Sequence, residues 1–328
     1  MDLTLNSDQR ALQKGLGDVL VKLWSAERLR SASEGTELDR SAWEQLAETG
    51  VFAITVPEEA MGMGLGNADA AVLLELLGRH LVPGPIVPTL LAGGLIDGAQ
   101  DGTVLVSLLD LRAAVPLVEH LGAATHLITL DDDEIRVVSV ADVDAEQISR
   151  PLDPLTPMWR IRDTDSLVRR SQPLGDASLV TAWEERGAVL TAALQVGVAQ
   201  GALDLAVRYA LERVQFGRAI GGFQAIKHML AESLVRVDVA RAQVLVAALT
   251  LDDPAAGNAA SAAAAAKLLA DEAAAINSRI GLQVHGGMGF TWEVLAHLYV
   301  KRAWLNETVF GGAGDHALAL AAEAGGVL

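Results

Sequence analysis

From Leu179 to the end of the chain, apolar residues recur at helical spacing through four long stretches, roughly 179–213, 224–251, 255–284 and 293–309. Glycine-rich breaks separate or follow them: VQFGRAIGGFQ, HGGMGF and FGGAGD. Long amphipathic helices joined by tight turns bury their apolar stripes against one another, so this region predicts a helical bundle. Its alanine-rich run, Ala255 to Ala275, carries Lys267, Asp271 and Glu272. Those charges predict a buried helix of a globular protein rather than a membrane span. Loops between such helices are natural cofactor sites, because helix N-termini and glycine-exposed amides present donors to anions.

Two other textures precede the bundle. In residues 1–95, Leu12, Leu16, Val19, Leu20 and Leu23 mark an amphipathic first helix. SAWEQLAETGV reads as a second, with Ser41 expected as its N-cap and Gly50 as its stop. ADAAVLLELLGRHL is apolar nearly all round and predicts a helix buried on several sides, which PGPIVPT is expected to end. In residues 96–178, TVLVSLL, HLITL and EIRVVSV read as short strands separated by turn residues. The expected fold is mainly α with a small β-domain: a helical region 1–95, a reduced β-domain 96–178 and a helical bundle 179–328.

Composition narrows the function. Hydrophobic residues make up 51% of the chain, enough for a large core. Lys and Arg number 25 against 42 Asp and Glu, a net charge of −17 that argues against nucleic acid or an anionic membrane as the main partner. The absence of cysteine excludes disulfides, thiolate-held clusters and a thiol nucleophile. The seven histidines are scattered and form no H-x-x-x-H pair, so no metal site is expected. The first twenty residues hold no uninterrupted apolar stretch, and a cytoplasmic location is the expectation.

Two segments suggest chemistry. In YALERVQFGRAIGGFQAIKHMLAE, Arg213 offers a planar fork for phosphate oxygens, Phe216 a face for a flat heterocycle, and the glycines a close approach to backbone. A structural turn, with the arginine capping a carbonyl and the phenylalanine in the core, accounts for the same residues equally well. In QVHGGMGFTWE the glycines 286, 287 and 289 follow a helix rather than a strand, so they are no dinucleotide fingerprint by themselves.

Taken together, and with WEQLAETGVFAITVPEEAMGMGLG, LLELLGRHLVPGPIVPT and HLYVKRA in matching order, these segments resemble the acyl-CoA dehydrogenase family over most of the chain. The resemblance implies an N-terminal helical domain, a middle β-domain and a C-terminal four-helix bundle. It implies FAD as cofactor, an acyl-CoA thioester as substrate, Cα–Cβ desaturation, and an electron-transfer flavoprotein as electron acceptor. In the family, one subunit's rim contacts FAD held mainly by a neighbour. The matching positions here are Arg213, Phe216, Gln224, Gln283, Gly286 and Gly287.

The catalytic half departs from the family pattern. The usual glutamate base belongs to a Y-E-G-T stretch, and TVFGGAGDH stands there instead, placing Gly311 or Phe310 at its position. Members with a displaced base point to Gly187, with Glu185 two residues before it as an alternative that a solvated first-turn glutamate explains more simply. Glu307, Asp315 and His316 are weaker candidates. The family's T-E-x-x-x-G-S-D stretch has no counterpart; DDDEIRVVSVADVD follows Leu130. The expectation is therefore a short, glutamate-less subunit that completes a FAD site shared with a homologous catalytic subunit. A self-sufficient homo-oligomer using Glu185 and a non-catalytic scaffold are the alternatives.

Overall fold

A computed structural model describes residues 3–35 and 37–325. Its helices are α1 (Ser7–Leu23), α2 (Ala26–Glu34), α3 (Arg40–Ala47), α4 (Asn67–Arg79), α5 (Ile86–Leu91), α6 (Thr164–Arg170), α7 (Ala177–Glu212), α8 (Gln224–Asp252), α9 (Ala259–His285), α10 (Ala296–Asn306) and α11 (Ala313–Gly325). Among the described residues nine short strands accompany them: β1 (Val106–Asp110), β2 (Leu117–Glu119), β3 (His126–Leu130), β4 (Glu134–Ser139), β5 (Ala145–Gln147), β6 (Met158–Ile161), β7 (Gln172–Asp176), β8 (Val214–Gln215) and β9 (Arg218–Ala219). The chain forms two compact units assembled from non-contiguous segments: 1–30, 67–82 and 188–328 in one, 31–66 and 83–187 in the other.

The first unit is helical. α9 packs on α8, α10 and α11, and α4 on α1 and α8. Alanines 263, 264, 266, 270, 273 and 274 are buried on α9; side chains this small let neighbouring helices approach closely. Backbones of α4 and α7 touch through glycine: a Cβ on Gly197 would lie 2.0 Å from the Glu75 carbonyl oxygen, and one on Gly78 2.0 Å from that of Leu194. The Asp252 carboxylate accepts from the Asn67 and Ala68 amides at 2.7 and 3.1 Å, capping α4 from the far end of α8. Among the described residues only α7 is long and apolar enough to cross a membrane, and 78% of that apolar window is buried inside the protein.

The second unit holds two small sheets. The first runs β1-β3-β4-β7, with β1 parallel to β3 and the other pairs antiparallel; the second runs β2-β6-β5, all antiparallel. Leu109, Val118, Leu121, Leu127, Val138, Ile161 and Leu167 form their common core. Trp43 stacks on Phe52 at 4.7 Å and donates its indole N–H to the Gly102 carbonyl.

Two local expectations are corrected. α3 is capped by Asp39, whose carboxylate accepts from the Ala42 amide at 3.1 Å, so Ser41 lies inside the helix. PGPIVPT does not merely stop α4: it opens α5, with Pro85 as N-cap and Pro88 in the first turn, where a missing N–H leaves no intrahelical bond unmade.

Candidate functional site

At one end of the bundle three termini meet: the end of α7, the start of α8 and the end of α9. Ala206 and Ala210 of α7 and Val284 of α9 are buried together there, with Tyr209, Ile220, Ile226, Leu230 and Ile280 packed around them. Tyr209 stacks on His285 at 4.3 Å. The His285 Nδ1–H donates to the Gly281 carbonyl at 2.7 Å, and burial holds its pKa below the usual histidine value. His285 is thus a buried helix-end hydrogen bonder that pins α9 to α7.

Between α7 and α8 the chain makes a miniature hairpin, with Val214 paired to Ala219 and Gln215 to Arg218. Its two loop residues, Phe216 and Gly217, have φ of +51° and +80°. Positive φ at both positions gives the right-handed twist a two-residue hairpin needs, at some cost for a phenylalanine. Phe216 is left 91% exposed, its ring edge-on to Phe223 at 6.1 Å. The Arg218 guanidinium covers the Phe223 ring at 4.1 Å. Phe223 precedes α8 and offers no side-chain cap, so the positive end of a 29-residue helix is open beside Gln224.

The second glycine segment completes the rim. α9 stops at Gly286, φ +58°, and residues 286–290 form a single 3-10 turn. A Cβ built on Gly217, Gly286 or Gly287 would meet no heavy atom within 4 Å. Arg213, Phe216, Gln224, Gln283, Gly286 and Gly287 are all exposed. The structure therefore brings both rim segments to one end of the bundle. A guanidinium, an outward aromatic face, two carboxamides, an uncapped helix start and open glycines fit a dinucleotide.

Gly311 is elsewhere. It follows α10, and its carbonyl accepts from Lys267 Nζ at 3.3 Å. Lys267 and His285 are eighteen residues apart on α9, about 27 Å along the helix. Gly311 has φ +93°, and a Cβ there would sit 2.9 Å from His316 Nε2. That nitrogen is 3.0 Å from the Phe310 carbonyl, and Asp315 accepts from the Gly312 amide at 3.0 Å. Asp315 and His316 fasten this turn to the start of α11.

Beneath the turn lies a buried ion pair. Lys267 is 0% exposed and donates to Asp271 Oδ2 at 2.6 Å, to the Glu307 carbonyl at 3.1 Å and to Gly311. Gln195 donates to Asp271 Oδ1 and to the Ala303 carbonyl, both at 2.9 Å. Burial pushes Asp271 up to about 6. Sequence shows these two residues only as charges in an alanine run, and their spacing of four is the one signal of the pair.

Glu185 belongs to the other compact unit. It is partly buried on α7, and burial, helped by Glu184, raises its pKa. Its neighbour Arg186 donates to Thr55 Oγ1 at 3.0 Å. Among the described residues no three acidic or imidazole side chains gather as a metal site would require.

Family models for the acyl-CoA dehydrogenase N-terminal and C-terminal domains match residues 6–98 and 182–325. Acyl-CoA dehydrogenase IpdE2 of Mycobacterium tuberculosis is 34% identical over 317 residues, covering 92% of both chains. The chain belongs to the acyl-CoA dehydrogenase family. Acyl-CoA dehydrogenase FadE34 of the same organism is 33% identical over 84% of this chain, but that match takes in only 41% of FadE34. Among solved structures, the ChsE4-ChsE5 complex from Mycobacterium tuberculosis superposes with a TM-score of 0.85 at 20% identity, covering 99% of both chains, a likeness of fold. This acyl-CoA dehydrogenase thus has the family's helical N- and C-terminal regions around a small β-region, and FAD is the family's cofactor.

Proposed function

We propose that this chain is the rim subunit of a heteromeric acyl-CoA dehydrogenase, completing a FAD site whose base lies on a homologous partner. The observation that carries the reading is that a glycine, clamped by a buried lysine, occupies the position of the usual base, while the dinucleotide-fitting rim lies at the other end of α9, about 27 Å along the helix from that lysine. Arg213 would hold the pyrophosphate, Phe216 would offer its face to the adenosine, and Gln224, Gln283 and the glycine ridge at 286–287 would bind and orient the rest of that half. FAD held there would supply the acceptor for the hydride that leaves the β-carbon of an acyl-CoA thioester as its α-proton is removed. That proton goes to a carboxylate of the partner, and an electron-transfer flavoprotein receives the electrons. Two comparisons support the pairing. FadE34 has more than half its length outside the match to this chain, and the ChsE4-ChsE5 structure is of a complex.

The raised carboxyl of Glu185 favours one other reading, a self-sufficient homo-oligomer with a displaced base. Colour separates the two, and a third in which the chain is a scaffold. The rim reading expects a colourless chain that gains FAD and turnover when co-expressed with a homologous full-length subunit, and Arg213→Ala in that complex loses flavin while Glu185→Gln does not change turnover. A yellow lone chain whose turnover disappears with Glu185→Gln establishes the homo-oligomer. A chain that gains neither flavin nor activity in any pairing is a scaffold.

A further inference from the structure

A cavity lies within the helical unit, lined by no residue of the glycine rim or of the Gly311 turn. Its volume is about 290 Å³, room for roughly ten atoms of water size. Leu3 and Leu5 ahead of α1, Val72 of α4, Val196 of α7, and Val244 and Leu245 of α8 supply apolar wall. Gln13, Glu75, Arg79, Gln200 and Arg241 gather as its polar lining. An apolar chamber with a few convergent polar groups is the usual form of a small-molecule site.

Hydrogen bonding at the polar lining selects the ligand's head. Each nitrogen of Arg241 is engaged: Nε and Nη2 on Glu75 at 2.7 to 3.1 Å, Nη1 on Asp238 at 2.7 Å, and Nη2 also on Gln200 Oε1 at 3.0 Å. Gln200 donates to Asp204 at 2.9 Å, and Arg79 spends its Nε on the other oxygen of Asp204 at 2.7 Å. The two Nη groups of Arg79 are left as donors, and the carboxylates keep lone pairs as acceptors. Glu75 is the one carboxylate of the lining, and Asp204 and Asp238 pair with Arg79 and Arg241 from outside it, so a carboxylate or phosphate head finds no guanidinium without an ion-pair partner. An ammonium head meets the two arginines and cannot use their N–H groups. A hydroxyl accepts from Arg79 and donates to a carboxylate, satisfying both kinds of group at once.

We propose that this cavity binds a small neutral amphiphile, a compact apolar body of about ten heavy atoms bearing one hydroxyl. The proposal does not depend on the flavin reading, since no rim residue lines the cavity. The test uses the full chain and n-octanol as probe, with n-octanoate and n-octylamine as charged counterparts, by calorimetric titration. Saturable one-to-one binding of the alcohol, at least tenfold tighter than either ion, is expected. Leu245→Trp, which fills the chamber from a partly exposed position, abolishes binding while the thermal midpoint stays unchanged. Should that variant fail to fold, contacts between probe protons and the labelled methyls of Val72, Val196 and Val244, measured by NMR on the unaltered chain, decide the matter. Absence of saturable binding, equal affinity for an ion, or probe contacts confined to other methyls overturns the proposal.

Discussion

Installing a glutamate at Gly311 is the direct way to ask whether this chain has merely lost a side chain or has rebuilt the turn around the loss. The backbone there has φ +93°, a conformation that costs a non-glycine residue about 1–3 kcal/mol. The new Cβ would start 2.9 Å from His316 Nε2, so the imidazole must move and surrender its bond to the Phe310 carbonyl, a further loss of about 1 kcal/mol. Gly311→Glu is therefore expected to destabilise by about 2–4 kcal/mol, a fall in thermal midpoint on the order of 10 °C. Gly311→Ala bears the same backbone strain and should show most of the loss. Scanning calorimetry measures both, and a dye-linked dehydrogenase assay on the lone glutamate variant should read zero turnover. An unchanged midpoint, or turnover regained by the lone chain, would refute the idea that the turn excludes a base.

Other outcomes follow from buried groups. Lys267→Met leaves the Asp271 carboxylate buried without its cation and is expected to cost about 3–5 kcal/mol in urea unfolding, whereas Lys267→Met with Asp271→Leu should lie close to the unaltered chain. Equal losses in the single and double variants would show that the pair is not what matters. His285 and His316 are held below 6.5 by burial, so the unfolded chain takes up protons the folded chain declines, and stability falls as pH drops below that value. Asp271, raised to about 6, works oppositely, losing stability as pH rises from about 4 to about 6, and Asn at both histidines should remove only the acid-side fall seen in thermal midpoints against pH.

How much of this was readable beforehand depended on the range of the signal. The long helices of the bundle were legible because their apolar period persists over many turns, and observed boundaries such as Gln224–Asp252 follow that period. The residues of the proposed rim can be named one by one through the resemblance. Their convergence cannot be read that way, because it depends on contacts such as Tyr209 with His285 across two helices. Local competition misled at α3, where Asp39 and Ser41 are both good caps and only backbone geometry decides between them. Ala313–Gly325 escaped because its alanines and glycines give little period to read. Lys267 and Asp271 were noticed as charges in an apolar run, but the carbonyls of Glu307 and Gly311 that complete their shell lie forty residues or more away in sequence.

The distance between the two ends of α9 has a consequence for counting. On the proposed reading, the chain would grip a dinucleotide at one end, keep a sealed turn at the other, and contribute half a centre for its mate to use. A complex of equal numbers of the two chains should accordingly carry one flavin for every pair, with a visible absorbance per milligram about half that of a homomeric relative in which every chain carries its own. Saturation with tight-binding thioester should stop at the same ratio.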